Sequence, residues 1–198
     1  MRKMLFSAVV SILLLGVILP GMVCAAEGNE TTSTQDTLDR EQKNKGYIAF
    51  GVIIGMALAG IFSAIGLGLT GASAVGVVSE KRELFSHAMV LQVLPMTQGI
   101  YGLVGAIILL LGGGFFGGAK ADLADNAVGM TAIAAGIVIG LTGLSAIPQG
   151  QISSAGISAL PRNDEDWTKS VIFAAMPETM AIFGLLVAIL LAKGAGFI

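Results

Sequence analysis

The chain has 198 residues, of which 55% are hydrophobic, 12% are charged and 28 are glycine, with a mean hydropathy of +0.86, whereas soluble domains carry about a quarter charged residues. Eleven basic against thirteen acidic side chains give a formal net charge of -2, so no cationic excess is available to neutralise a nucleic-acid backbone. A single cysteine, Cys24, and a single histidine, His87, exclude an internal disulfide framework, a cysteine-rich zinc or iron–sulfur site and a histidine-rich metal centre, which leaves a small integral membrane protein.

In chain order, Arg2 and Lys3 precede an apolar run from Met4 to about Leu19, then Pro20-Gly21 and the small residues Cys24-Ala25-Ala26. This is the three-part layout of a secretory signal peptide over residues 1–26, and cleavage after Ala25 or Ala26 would leave the new N-terminus outside the cytoplasm. An uncleaved extra transmembrane helix is the alternative, for which the run is short against about 30 Å of hydrocarbon. Residues 27–46 are polar, rich in Thr, Asn and Gln and without apolar periodicity, and read as a solvated linker.

Four apolar segments follow, roughly Tyr47–Ser79, Phe85–Leu111, Asn126–Leu160 and Trp167–Ala192, each long enough to cross a bilayer as a helix at about 1.5 Å per residue. The breaks after the first and third, near residues 80–84 and 161–166, are short and charged and carry Arg82 and Arg162, whereas the glycine-rich loop 113–125 has only Lys120 as a basic residue. The positive-inside tendency puts both charged turns in the cytoplasm and the glycine loop outside it.

Sliding the second half over the first by 82 residues without a gap lays Ser63-Ala64-Ile65 on Ser145-Ala146-Ile147, Gly68 on Gly150, Pro95 on Pro177, Thr97 on Thr179 and Gly102 on Gly184. An ungapped match through two helices and their turn marks a duplicated helical hairpin, residues 47–112 and 126–193. Two helices per repeat give both copies the same orientation, unlike the inverted repeats of many secondary transporters. Glycine is concentrated in the first and third segments, with GxxxG spacing at Gly51/Gly55 and Gly136/Gly140, which lets backbones approach closely. The expected architecture is all-α, two tandem hairpins whose small-residue helices suit the inner circle of a concentric arrangement and whose bulkier ones suit the outer circle.

One acidic residue lies deep within a span. Glu178 is eleven residues past Trp167, about 16 Å along a helix and near mid-membrane, where an ionisable group costs a few kcal/mol and marks function by default. Gln149, eleven residues before Leu160, shares that depth. The first hairpin has Met96 at the repeat position of Glu178, followed by Thr97 and Gln98, with Tyr101 one turn on. Singly, each glutamine reads first as an interhelical hydrogen bond. Gathered around one carboxylate, Thr97, Gln98 and Gln149 offer the oxygens a hard cation needs on leaving water, and Tyr101 could fix the glutamate. Pro95 and Pro177 each free a carbonyl four residues earlier, as a simple kink or as a supply of ligands. There is no nucleophile–base pair, no P-loop and no metal triad.

Leu94-Pro95-Met96-Thr97-Gln98-Gly99-Ile100-Tyr101-Gly102, Ile147-Pro148-Gln149-Gly150 and Met176-Pro177-Glu178-Thr179 resemble the motifs of the rotor-ring proteolipids of V/A-type ATPases, the K or c subunits. The match covers about residues 47 to 193. The resemblance implies a homo-oligomeric ring of identical subunits that turns in the lipid membrane against a stator subunit with an essential arginine and is joined to central-stalk subunits. It implies no cofactor and no catalysis by the chain itself, but transport of Na+, or alternatively H+. The Na+ ligands it implies are Glu178, Thr97, Gln98, Gln149 and the Leu94 carbonyl, with Tyr101 gating. Met96 departs from the glycine familiar at that position. A small secondary transporter or channel is the reading from another class.

Overall fold

The computed structural model describes residues 34–162 and 167–198; the signal-peptide reading of residues 1–26 and the linker up to residue 33 lie outside the described residues. The chain divides into two compact units, Met1–Leu38 and Asp39–Ile198. Within the first, the described residues 34–38 are helical; everything below concerns the second.

Four membrane-length helical spans are present among the described residues: Thr34–Glu80, Arg82–Gly112, Asn126–Ala159 and Trp167–Gly194. The first is one helix, α1 (Thr34–Glu80). The second is α2 (Phe85–Val93), a 3-10 turn at Leu94–Met96 and α3 (Thr97–Gly112); the third is α4 (Asn126–Thr142), a 3-10 turn at Gly143–Ser145 and α5 (Ala146–Ala159); the fourth is α6 (Trp167–Ala175) followed by α7 (Glu178–Gly194). This is an all-α, two-hairpin transmembrane fold. The spans match the apolar segments except at the start, where residues expected as a solvated linker are helical from Thr34. Opposite charges spaced four apart, Asp39/Lys43 and Glu41/Lys45, favour that extension although it has no apolar periodicity. Asn44, buried, then fastens α1 to the glycine-rich loop by donating to the Leu123 and Asp125 carbonyls at 2.8 and 2.9 Å.

The first and third spans meet backbone to backbone. A Cβ on Gly150 would lie 2.6 Å from Gly66 Cα, and one on Gly55 would lie 3.1 Å from Gly136 Cα, so glycine at these crossings sets the helix separation. Two apolar clusters flank this seam along the helices. One, with Ile48, Leu109, Ile139 and Phe197, belongs to the loop end; the other, with Val77, Leu84, Leu91, Ile157 and Leu160, belongs to the charged-turn end. At the latter end Lys81 Nζ donates to the Pro161 carbonyl at 2.9 Å, which joins the two charged turns and agrees with hairpins of equal orientation. At the other end Asp125 caps α4 by accepting from the Ala127 N–H at 2.9 Å. Large apolar side chains remain exposed on the outside, among them Phe50, Ile53, Val75, Phe183 and Leu190. Such a surface would be costly in water and suits hydrocarbon, as expected of a multi-pass integral membrane protein.

Candidate functional site

A polar layer lies between the two apolar clusters, at the breaks in the second and fourth spans. Proline lacks the N–H that would continue the α-helical ladder. At Pro95 the helix tightens into the 3-10 turn Leu94–Met96, and the same repeat position, Pro177, separates α6 from α7. There Met176 N donates to Phe173 O, Thr179 N to Met176 O and Met180 N to Pro177 O, all at 3.3 Å. The Phe173 carbonyl that proline frees is thus taken up by a tighter backbone turn. Glu178 becomes the first residue of α7, where the helix dipole favours a negative charge.

The six residues expected at the site come together. Tyr101 donates its hydroxyl to Glu178 Oε1 at 2.8 Å, and Gln149 Nε2 approaches Oε2 at 3.5 Å. Gln98 Nε2 donates to Gln149 Oε1 at 2.7 Å. Thr97 Oγ1 lies 2.9 Å from the Leu94 carbonyl and 3.3 Å from Gln98 Oε1. A continuous run of hydrogen bonds therefore leads from Leu94 and Thr97 in the second span, through Gln98 and then Gln149 of the third, to Glu178 of the fourth. Gln98 is 1% exposed and Gln149 0%. Buried amides of this kind are costly unless paired, and here the two pair with each other, Gln98 also with Thr97 and Gln149 also with the carboxylate.

Chemically, this is one carboxylate approached by a phenol hydroxyl and an amide N–H, with the oxygens of two amides, a threonine hydroxyl and a backbone carbonyl further along the same hydrogen-bonded run. Among the described residues no three His, Cys, Asp or Glu side chains gather, and of the residues in this hydrogen-bonded run only Glu178 carries a charge. One monovalent cation or one proton makes it neutral. Met96, the departure noted in the sequence, is 44% exposed and takes no part in the hydrogen-bonded run.

Ser63 had figured only in the repeat and was not recognised as a support of the site. It is buried and donates to the Pro95 carbonyl at 2.7 Å, which pins the 3-10 turn that presents Leu94 and Thr97. The available signal was a serine at the depth of a helix-breaking proline. Its repeat counterpart Ser145 has a buried Oγ with no hydrogen-bond partner among the described residues.

The sequence profile of the ATP synthase C-subunit family matches residues 50–109 and 127–191, one stretch on each hairpin. The chain is 42% identical over 146 residues to the K subunit of the A-type ATP synthase of Methanocaldococcus jannaschii, covering 74% of this chain and 61% of that protein, thus less than two thirds of that relative's length. It is 39% identical over 150 residues to the K subunit of the V-type sodium ATPase of Enterococcus hirae, covering 72% of this chain and 90% of that one. Against a 16 kDa proteolipid of the V-type proton ATPase of Caenorhabditis elegans the identity is 30% over 150 residues, covering 73% and 91%.

Proposed function

Since the chain belongs to the ATP synthase C-subunit family, as a rotor-ring proteolipid of the V/A type and not an enzyme by itself, we propose that it carries Na+ across the membrane at Glu178. In this reading identical copies form a ring that turns against a stator subunit with an essential arginine, coupled through central-stalk subunits to ATP hydrolysis or synthesis. The charged turns near residues 80–84 and 161–166 face the cytoplasm, and the N-terminus lies on the other side once residues 1–26 are removed.

What supports this ion is the set of oxygens that share one hydrogen-bonded run with a single carboxylate. A proton needs one acceptor; Na+ needs several oxygens to replace its water. Gln98 Oε1, Thr97 Oγ1, Gln149 Oε1 and the Leu94 carbonyl all lie in the hydrogen-bonded run that ends on Glu178. The Tyr101 hydroxyl on Oε1 holds the carboxylate in place and gates the site.

Electrostatics then couples occupancy to rotation. Glu178 with its ion is neutral and can face lipid, whereas the bare carboxylate is excluded from hydrocarbon and stays beside the stator's positive charge or an aqueous path. Only occupied sites pass through lipid. Each Na+ moved against 100 mV requires about 2.3 kcal/mol. One carboxylate per four helices means few ions per turn, each driven against a steeper gradient, which favours ATP-driven pumping.

The test is carbodiimide labelling of Glu178 in membranes containing the whole ATPase. Protection by Na+ at neutral pH is expected. Labelling that ignores Na+ and falls only as the pH rises would assign the rotor to protons, and saturable flux through the purified chain alone in vesicles would favour a self-contained transporter.

A further inference from the structure

An apolar groove of about 670 Å³ opens between the first two spans near the charged-turn end. Its lining includes Val75, Val78, Phe85, Met89 and Gln92, and nothing within the described chain fills it. The 82-residue repeat shows what a filled version looks like. Carried forward by one repeat, those five positions are Ile157, Leu160, Trp167, Val171 and Ala174, all of which belong to the apolar cluster at that end of the second hairpin. The second hairpin's groove is thus occupied, and its occupant is the first hairpin: Leu84, Ala88 and Leu91 complete the same cluster. Leu91 is 0% exposed, and its Cδ1 lies 3.3 Å from where a Cβ on Gly156 would stand, beside Ser170.

Carried forward once more, Leu91 becomes Phe173 and Gly156 corresponds to Ala74. Phe173 is 58% exposed in the single chain, a large aromatic without a socket, while Ala74 lines a socket without an occupant. We propose that the groove between the first two spans receives Phe173 of an adjoining copy, so that the contact between hairpins within one chain is repeated between chains. This rests on the ring reading above and specifies which surfaces meet in it. The arrangement also explains why only one ion site forms per chain. At such a junction the counterparts of Thr97, Gln98 and Tyr101 are Thr179, Met180 and Phe183, and those of Gln149 and Glu178 are the adjoining copy's Leu67 and Met96. That junction has the same backbone and no carboxylate.

The experiment is disulfide trapping in the assembled ATPase. In a Cys24→Ser background, Ala74→Cys together with Phe173→Cys is oxidised in membranes and run on a denaturing gel, with a short bismaleimide as a second cross-linker less demanding of geometry. A ladder of dimers, trimers and higher multimers is expected, absent from each single-cysteine variant and from Ala74→Cys with Leu190→Cys. Native mass spectrometry of the same preparations separates the two ways of failing. An intact ring whose Ala74/Phe173 pair gives only monomer with both cross-linkers overturns the proposed contact and leaves the ring reading standing. A protein that is a single copy by mass overturns both.

Discussion

The two hairpins share a backbone plan and keep different atoms at the same positions. In the first, Gln98 and Tyr101 stand where the second has Met180 and Phe183; in the second, Gln149 and Glu178 stand where the first has Leu67 and Met96. Neither hairpin holds a complete set. The polar halves meet across the interface inside the chain, through Gln98 with Gln149 and Tyr101 with Glu178, while the apolar halves are left on outward faces, Met96, Met180 and Phe183 being exposed. The repeat thus yields one polar site per chain although its backbone plan occurs twice. The scaffold, meaning the glycine seam and the proline breaks, is retained in both halves because packing needs it whether or not an ion is bound.

The largest test of that difference moves the carboxylate. Glu178→Gln should abolish ion transport and carbodiimide labelling while leaving the protein in the membrane. Adding Met96→Glu to Glu178→Met should not restore transport, because the transplanted carboxylate shares its depth with Leu67 and lacks counterparts of Gln98 and Tyr101. Its charge at mid-membrane would have no partners to offset the desolvation. Ion-coupled ATPase activity in vesicles reads both variants, and a working exchange variant would end the claim that the hairpins differ in function.

A smaller effect is expected at the amides. Gln98→Leu removes one oxygen of the proposed ligand set and the amide that orients Gln149, and a polar interaction with a charged group contributes about 1.5–3 kcal/mol. Protection of Glu178 by Na+ should then require roughly tenfold to a hundredfold more Na+. Met180→Leu, the matching position of the second hairpin, should leave it unchanged. Tyr101→Phe removes one hydrogen bond to a charged acceptor, about 1.5–3 kcal/mol in general. Part of that is recovered by the remaining Gln149 contact, so the expected weakening is about tenfold, read from the same Na+ titration, with faster labelling of Glu178. Phe183→Leu should alter neither.

Much of this was legible in the sequence for physical reasons. Glu178 stood out because so few charges occur in the spans, and Gln149 and Gln98 were placed at its level by counting residues from the turns, which works because helix rise is fixed. The 82-residue offset was legible because the hairpins match without a gap. The start of α1 was not, since residues 34–46 lack the apolar stripe that betrays a helix, and the bond from Asn44 goes to a loop 79 residues further on. Ser63 was missed for a related reason. A serine in a glycine-rich helix looks like any small packing residue until the partner it bonds, the Pro95 carbonyl 32 residues away, is placed beside it.

That serine supplies the finest test of the comparison. Ser63 and Ser145 occupy the same repeat position, yet Ser63 Oγ bonds the Pro95 carbonyl at 2.7 Å and Ser145 Oγ has no partner among the described residues. If hydrogen bonding rather than volume distinguishes them, Ser63→Ala should strand a buried carbonyl at a cost of about 1–3 kcal/mol, whereas Ser145→Ala removes a hydroxyl that contributes no bond and should be neutral. Thermal denaturation of the purified protein in detergent checks both: the midpoint falls for Ser63→Ala and is unchanged for Ser145→Ala. The Na+ titration adds a second readout. Loosening the Leu94–Met96 turn displaces the Leu94 carbonyl and Thr97, so Ser63→Ala should also weaken Na+ protection a few-fold although Ser63 does not touch Glu178. Equal behaviour of the two alanine variants would mean that the pinned turn of the first hairpin and the unpinned turn of the second are interchangeable, and that the difference between the hairpins resides in the ligands alone.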